Sequence, residues 1–475
     1  MPPLRTMFLL VSICLALLAG LIGTIVGFSM SGYMLLAFPA VAVLGYALFR
    51  LARYLLARLD SKDLFSPLVA FPIVYVIWFT VGSINLLDVP SSFSFGAFDP
   101  IPRRMWFFYG IGLLSYMAGA ATLLRRKDKL PSGFLFTWQT ERSAVSTAVL
   151  VVVMCGSYLA IVSQIGVPVL RSAPGMVRLQ IGEHMWAQLF LMAGAYTLLP
   201  FLPAYLWTRI PGQGTSAMLW VLTLLAATLL MSLGGRGFLF EPLLTAIVAR
   251  HYLKRKYSML RLGSVLLLLF ATMSVYGYLR DDGEFESDSP IVRAGFPSAL
   301  FPFAYAYLYV RYTVATFRDV VSVVPSQFPY QHGWMTLQPL QGLLPGHHKS
   351  SDFFFKLILG NDFEGAGQPA TLLGPFYGDF GVVGIVLGMF AFGVLCAGVY
   401  RWMLRERTVT SVLIYSWLVH IAIWSLFLSV FQFPTYLWIP VMWLTMDWFL
   451  RSSRNRDPFV SAQSRLSPGL PRDGE

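Results

Sequence analysis

Charge is what this sequence has least of. Asp, Glu, Lys and Arg make up only 12% of its 475 residues, hydrophobic residues make up 56%, and the mean hydropathy is +0.65. No soluble domain of this length tolerates that balance. Cysteine is almost missing too: Cys14, Cys155 and Cys396 all fall inside apolar runs, which leaves neither a disulfide framework nor a metal cluster. The chain has no Walker motif, no glycine-rich dinucleotide turn, no serine-nucleophile elbow, no HExxH or HxH and no paired-carboxylate soluble site. Nucleotide-driven chemistry, a bound metal and a cofactor are therefore not expected. Any reaction must draw on an activated substrate already in the membrane, or on an ion gradient.

What the chain does have is long apolar runs. A helix needs roughly 20 apolar residues to cross the hydrocarbon core, and about twelve candidates lie near 7–28, 33–49, 65–86, 105–123, 145–165, 186–207, 216–233, 238–252, 262–279, 380–400, 411–431 and 435–450. The runs are continuous rather than alternating, which favours helices over a barrel. The expected fold is an all-α polytopic membrane protein: residues 1–279 carry helices one to nine, 280–378 an outer loop or cap, 379–450 helices ten to twelve, and 451–475 a disordered tail. Roughly two-thirds of the 35 Lys and Arg residues, including the groups around Arg125, Arg255, Arg405 and Arg454, fall on one side of this scheme. That side is cytoplasmic by the positive-inside rule, so both termini lie inside and the long loop outside. The net charge of +12 is then the signature of basic segments meeting anionic lipid, not of nucleic-acid binding. The first run, after Arg5, reads as a retained helix rather than a cleaved signal.

The outer loop gathers most of the ionisable residues suited to chemistry, among them Arg293, Arg311, Arg318, His332, His347, His348 and Lys349. Its aromatic stretch, Pro297 to Phe317, is apolar enough to resemble a span, but a crossing there would move the groups at Arg401 and Arg451 outside. It is expected as an interfacial or re-entrant helix near 297–318, holding Arg311 at headgroup level, where lipid diphosphates sit.

Candidate residues outside that loop follow the same logic. Between runs seven and eight the chain reads LGGRGFLFEP. Glycines beside Arg236 let a ligand approach closely, and a guanidinium is a natural fork for diphosphate oxygens; the competing reading is a turn whose arginine snorkels to headgroups. Glu241 lies within the next run, where an ionisable residue is costly and usually functional. It pairs with an arginine or serves as a base, unless it merely accompanies the helix start at Pro242. The loop IGVPVLRSAPGMVRLQIGEH presents Arg171 and Arg178, which nothing in the residues separates. His347 and His348 follow a Leu-Pro-Gly turn, where imidazole suits a general base and imidazolium a phosphate contact. His420, deep in run eleven, reads as a packed polar residue. Where the loop re-enters the membrane, Gly378, Gly381, Gly384 and Gly388 are spaced for helix packing through small residues. Asp379 stands there as an N-terminal cap.

These elements, in this order, resemble the Wzy-type O-antigen polymerases, the oligosaccharide repeat-unit polymerases of bacterial inner membranes. The resemblance rests on KDLFSPLVAFPIVYVIWF at the third run, GVPVL and a following arginine after the fifth, and SLGGRGF between the seventh and eighth. It continues with the long loop carrying GLLPG and with GPFYGDFGVVGIVLGMFAFG. It implies a GT-C-like fold and metal-independent glycosyl transfer on the periplasmic face. The donor would be an undecaprenyl-diphosphate-linked chain, the acceptor a lipid-linked repeat unit, and the product O-antigen or exopolysaccharide. Arg178 and Arg236 match the family's outer-loop arginines; Arg311, His332 and His348 fall in the long loop, where its second site usually lies. The base is expected at His348, ahead of Glu241 or Asp379. Expected partners are membrane lipids and a chain-length regulator and flippase of the same pathway. Two alternatives stay open: an O-antigen ligase-like transferase, and a lipid or polysaccharide transporter, which an intramembrane Glu241 and His420 would suit, although no inverted repeat is visible.

Overall fold

The computed structural model describes residues 63–84, 100–124, 140–167, 185–208, 216–233, 236–254, 256–280, 301–337, 369–427 and 435–450. The first two apolar runs, most of the outer loop and the tail lie outside them. The described residues form eleven α-helices and no strand: α1 Ala70–Ser83, α2 Arg104–Leu123, α3 Thr140–Ile165, α4 Met185–Thr208, α5 Ser216–Ser232, α6 Arg236–Leu253, α7 Met259–Arg280, α8 Phe301–Val323, α9 Leu373–Glu406, α10 Val409–Trp424 and α11 Thr435–Leu450. By length and composition, Arg104–Leu123, Val145–Ile165, Phe190–Trp207 and Leu373–Glu406 can cross a membrane, and Ala70–Ser83, Ala217–Ser232 and Val409–Trp424 are shorter apolar helices. Apolar side chains face outward from them, as at Val152, Leu224 and Leu387, because lipid rather than water is their solvent.

The core has two parts. One gathers α3 to α6 with α10 and α11 around Trp417 and Trp443; the other gathers α1, α2, α8 and α9 around Phe71, Tyr116 and Phe317. The closest joint in the second part is α2 against α9. A Cβ on Gly393 would overlap the carbonyl oxygen of Tyr116, and one on Gly119 would overlap that of Phe390. Two backbones touch there because neither helix carries a side chain at the crossing. Gly384 and Gly388, expected from their spacing to serve such a joint, do something else. They receive the chain's own preceding turn, with the Phe376 carbonyl on Gly384 and the Phe376 ring on Gly388. The cause is a break in α9 at Phe380 and Gly381, where Gly381 takes φ 63°, a left-handed conformation that suits glycine.

The ends of the bundle are polar. At one end Asp63 is fully buried and satisfied: Phe65 N donates to Oδ1 (3.0 Å), Tyr252 Oη to both oxygens (3.0 and 2.8 Å) and Tyr400 Oη to Oδ2 (2.8 Å). His251 accepts from Tyr257 N on Nδ1 (3.0 Å), which leaves Nε2 to carry the proton of the neutral ring, 3.5 Å from Asp63 Oδ1. The entry to α1, the C-terminus of α6 and the C-terminal part of α9 are thus tied together. Arg250, Arg401, Arg405 and Arg407 belong to the same end. The turn from α9 to α10 is set by Arg407 in the left-handed region (φ 55°) and by a capping box in which Ser411 N donates to Thr408 Oγ1 (3.2 Å) and Thr408 N to Ser411 Oγ (3.2 Å).

The opposite end holds α8. Its first half meets the C-terminus of α1, where Tyr307 Oη donates to Ile84 O (2.6 Å) and Trp78 Nε1 donates to Thr313 Oγ1 (3.1 Å). Its second half meets the starts of α2 and α9, with Phe317 beside Phe108 and Tyr377, and Tyr377 Oη donating to Val324 O (3.3 Å). Both halves therefore pack at one end of the bundle.

Candidate functional site

The structure places Glu241, Asp379, Arg311, His332 and His420, and the backbone of Arg236. α6 begins at Arg236, directly after Gly234 and Gly235, and has no acidic residue in its first turn. The side chain of Arg236 lies outside the described set. Five residues on, Glu241 is buried among α4, α10 and α11: Tyr436 Oη donates to Oε1 (2.9 Å), and His420 Nε2 lies 3.9 Å from Oε2. No arginine among the described residues pairs with it. His420, fully buried, packs on Trp417 with ring centroids 4.7 Å apart. Pro242 is the seventh residue of α6, past the first turn, so its missing N–H leaves the Phe238 carbonyl without its helical donor. Glu241 is therefore enclosed behind the helix start, where it joins three helices.

Asp379 does not cap its own helix. It is fully buried, and its carboxylate reaches 44 residues back along the chain to accept from Met335 N (3.0 Å) and, with its second oxygen, from Thr336 N (2.8 Å). Gln331 N donates to Gly378 O (3.0 Å) and His332 N to Asp379 O (3.2 Å), so the segment that follows α8 is latched onto the start of α9. Only small residues admit this approach: a Cβ on Gly378 would overlap Met335 Sδ. With both oxygens accepting backbone N–H groups, the carboxylate anchors the loop and is poorly placed to take a proton from substrate. His332 takes φ 51° and leaves its side chain exposed, its ring 6.2 Å from that of Phe380.

Arg311, expected at the level of the lipid headgroups, is enclosed by protein. It is 0% exposed, and its Nη1 donates to Gly82 O (2.8 Å), one of the last carbonyls of α1. A cation is favourable at that terminus, which otherwise leaves carbonyls without helical partners. Arg318, two turns further along α8, is also buried and binds Asp319 through Nε and Nη2 (both 2.7 Å). Burial of both follows from α8 packing into the bundle end rather than lying on its surface.

Arg178 and His348 lie outside the described residues. The structure thus joins Asp379 with His332, and Glu241 with His420, with no contact between the two groups among the described residues. Asp63 escaped the sequence reading, although the rule applied to Glu241 points to it: a lone acid at the mouth of an apolar run is costly unless it is paired. Among the described residues no three His, Cys, Asp or Glu side chains come together as a metal site.

Comparison with known families adds one result. The model of the family described as "Putative O-antigen polymerase" matches residues 63–426, about three-quarters of the chain. No curated protein and no solved structure matches it.

Proposed function

Because the chain belongs to the O-antigen polymerase family, we propose that it joins undecaprenyl-diphosphate-linked oligosaccharide repeat units into surface polysaccharide at the periplasmic face of a bacterial inner membrane. The single observation that carries the site assignment is the start of α6. Gly-Gly-Arg opens that helix with no acid in its first turn. The first N–H groups of a helix have no helical acceptor and sit at the positive end of its dipole, so an anion is stabilised there. The donor's diphosphate occupies this position, held by Arg236 and by Arg178 from the neighbouring outer loop.

The reaction follows from that placement. A hydroxyl at the non-reducing end of the acceptor attacks the anomeric carbon of the donor; the new C–O bond forms as the bond to the diphosphate oxygen breaks with its electron pair. Arg178 and Arg236 stabilise the charge developing on the diphosphate. His348 takes the hydroxyl proton, because Glu241 is enclosed and Asp379 is committed to the loop. Glu241 lies about 7.5 Å below Arg236 along the helix axis; its bond from Tyr436 keeps the first turns of α6 in register with α11. His332 contributes a substrate contact from the loop. A chain-length regulator and a flippase act with the protein in the same pathway.

Arg236→Ala, expressed in a strain lacking the native gene, tests this assignment. Surface polysaccharide on a gel is expected to lose its long chains and to keep single repeat units. Unchanged chain length would sink the assignment, and full-length polymer left unattached to its lipid acceptor would favour a ligase.

A further inference from the structure

The latched segment after α8 has an unusual division of faces. Met335 is turned inward and is 0% exposed, whereas its neighbour Trp334 is 56% exposed and Leu337, three residues on, is 52% exposed. Leu337 N donates to Gly333 O (2.9 Å) and Trp334 N to Gln331 O (3.1 Å), so the segment is a tight turn rather than a free strand. Beside it stands Phe380, 49% exposed, the residue at the break in α9. From there a stripe of exposed apolar side chains runs along α9 at helical spacing through Val383 and Leu387, 61% and 62% exposed. In water such a surface would be an unpaid hydrophobic cost. On a helix that crosses a membrane it is the face that meets lipid.

We propose that Trp334, Leu337 and Phe380 form an interfacial anchor that inserts into the lipid leaflet at the boundary between headgroups and acyl chains. The occupant is lipid because the patch stands at the head of the lipid-facing stripe of α9, with Phe380 three residues before Val383. Tryptophan also favours this depth, where its ring is in contact with chains and its N–H with headgroups. The four hydrogen bonds from the turn to Gly378 and Asp379 fix the depth of the anchor relative to α9, since two join backbone to backbone and two end on the buried Asp379 carboxylate. Exposed His332, on the same turn, is thereby held at the level of lipid phosphates. The part of the outer loop that follows α8 then runs on the membrane surface instead of rising from it. This inference depends on α9 spanning the membrane and not on the activity proposed above.

The test uses the full-length protein with Cys14, Cys155 and Cys396 replaced by Ala, in vesicles of phosphatidylethanolamine and phosphatidylglycerol. A nitroxide is attached at Trp334→Cys or, for comparison, at Leu387→Cys. Power saturation measures its collisions with oxygen, which concentrates in lipid, and with a water-soluble nickel chelate. The label at 334 is expected to favour oxygen over nickel, and the label at 387 to favour it more strongly still. A 334 label that collides mainly with nickel lies in water, and one shielded from both reagents is covered by protein; either result overturns the proposal.

Discussion

Replacing Asp379 with Ala is expected to free the segment that follows α8 while the helical bundle stays folded. The carboxylate is the acceptor for two amides, those of Met335 and Thr336, at 3.0 and 2.8 Å. Without it the Met335 amide is left unpaired in a buried site, at about 1–3 kcal/mol, and the half-buried Thr336 amide at less, because water reaches it. A local loss of about 2 kcal/mol corresponds to roughly a 30-fold rise in the opening equilibrium. Hydrogen exchange in residues 330–337 should therefore quicken by that order, with little change in α10, which belongs largely to the other part of the core. Asp379→Asn keeps one acceptor oxygen but sets an NH2 group against the second amide, so it should recover only part of the protection. Unchanged exchange in the alanine variant would mean that the latch is held by other contacts. The anchor at Trp334 depends on the same bonds, so its depth should become less defined as exchange rises.

Gly393→Val is expected to have the largest effect on the fold. Its Cβ would overlap the carbonyl oxygen of Tyr116 and lie 2.9 Å from Ala120 N, and both of these are backbone atoms that cannot turn aside. Relief requires α2 and α9 to separate along their closest joint, so the cost should reach or exceed the upper end of the 1–3 kcal/mol typical of overpacking. Gly110, on the same helix α2, makes the opposite forecast. Nothing lies within 4 Å of a Cβ built there, so Gly110→Ala should be neutral or stabilise by up to about 1 kcal/mol through helix propensity. Thermal melting of the purified protein in detergent separates the two cases. Similar melting points for Gly393→Val and the native protein would show that the helices do not approach this closely.

The sequence reveals helices more readily than partners. A run such as GIVLGMFAFGVL needs only composition and continuity to be read as a membrane span, and α9 lies where that run lies. The same glycines mislead about what they touch. Gly384 and Gly388 have the spacing of a helix–helix joint, but a backbone break four residues before the first of them folds the preceding turn onto both. Asp379 has the local look of a cap because its partners, Met335 and Thr336, lie beyond a loop of more than 30 residues whose path no periodicity encodes. Arg311 looks like a headgroup contact because it stands among aromatics. Its acceptor, Gly82 O, is 229 positions away, and only the packing of α8 on α1 brings them together. Buried polar pairs of this kind depend on tertiary geometry, whereas the spans depend on the solvent around each segment.

Glycosyl transfer between lipid-linked repeat units, assisted by an arginine at the start of α6, is expected of the purified protein by itself. The most direct measurement supplies purified protein in lipid nanodiscs with an undecaprenyl-diphosphate-linked repeat unit as the only substrate. Products are resolved by size and released undecaprenyl diphosphate is counted. A ladder at multiples of the repeat unit is expected, with one undecaprenyl diphosphate released for each new linkage, and both should be lost in Arg236→Ala. Substrate recovered intact, with no lipid diphosphate released by correctly folded native protein, would contradict it.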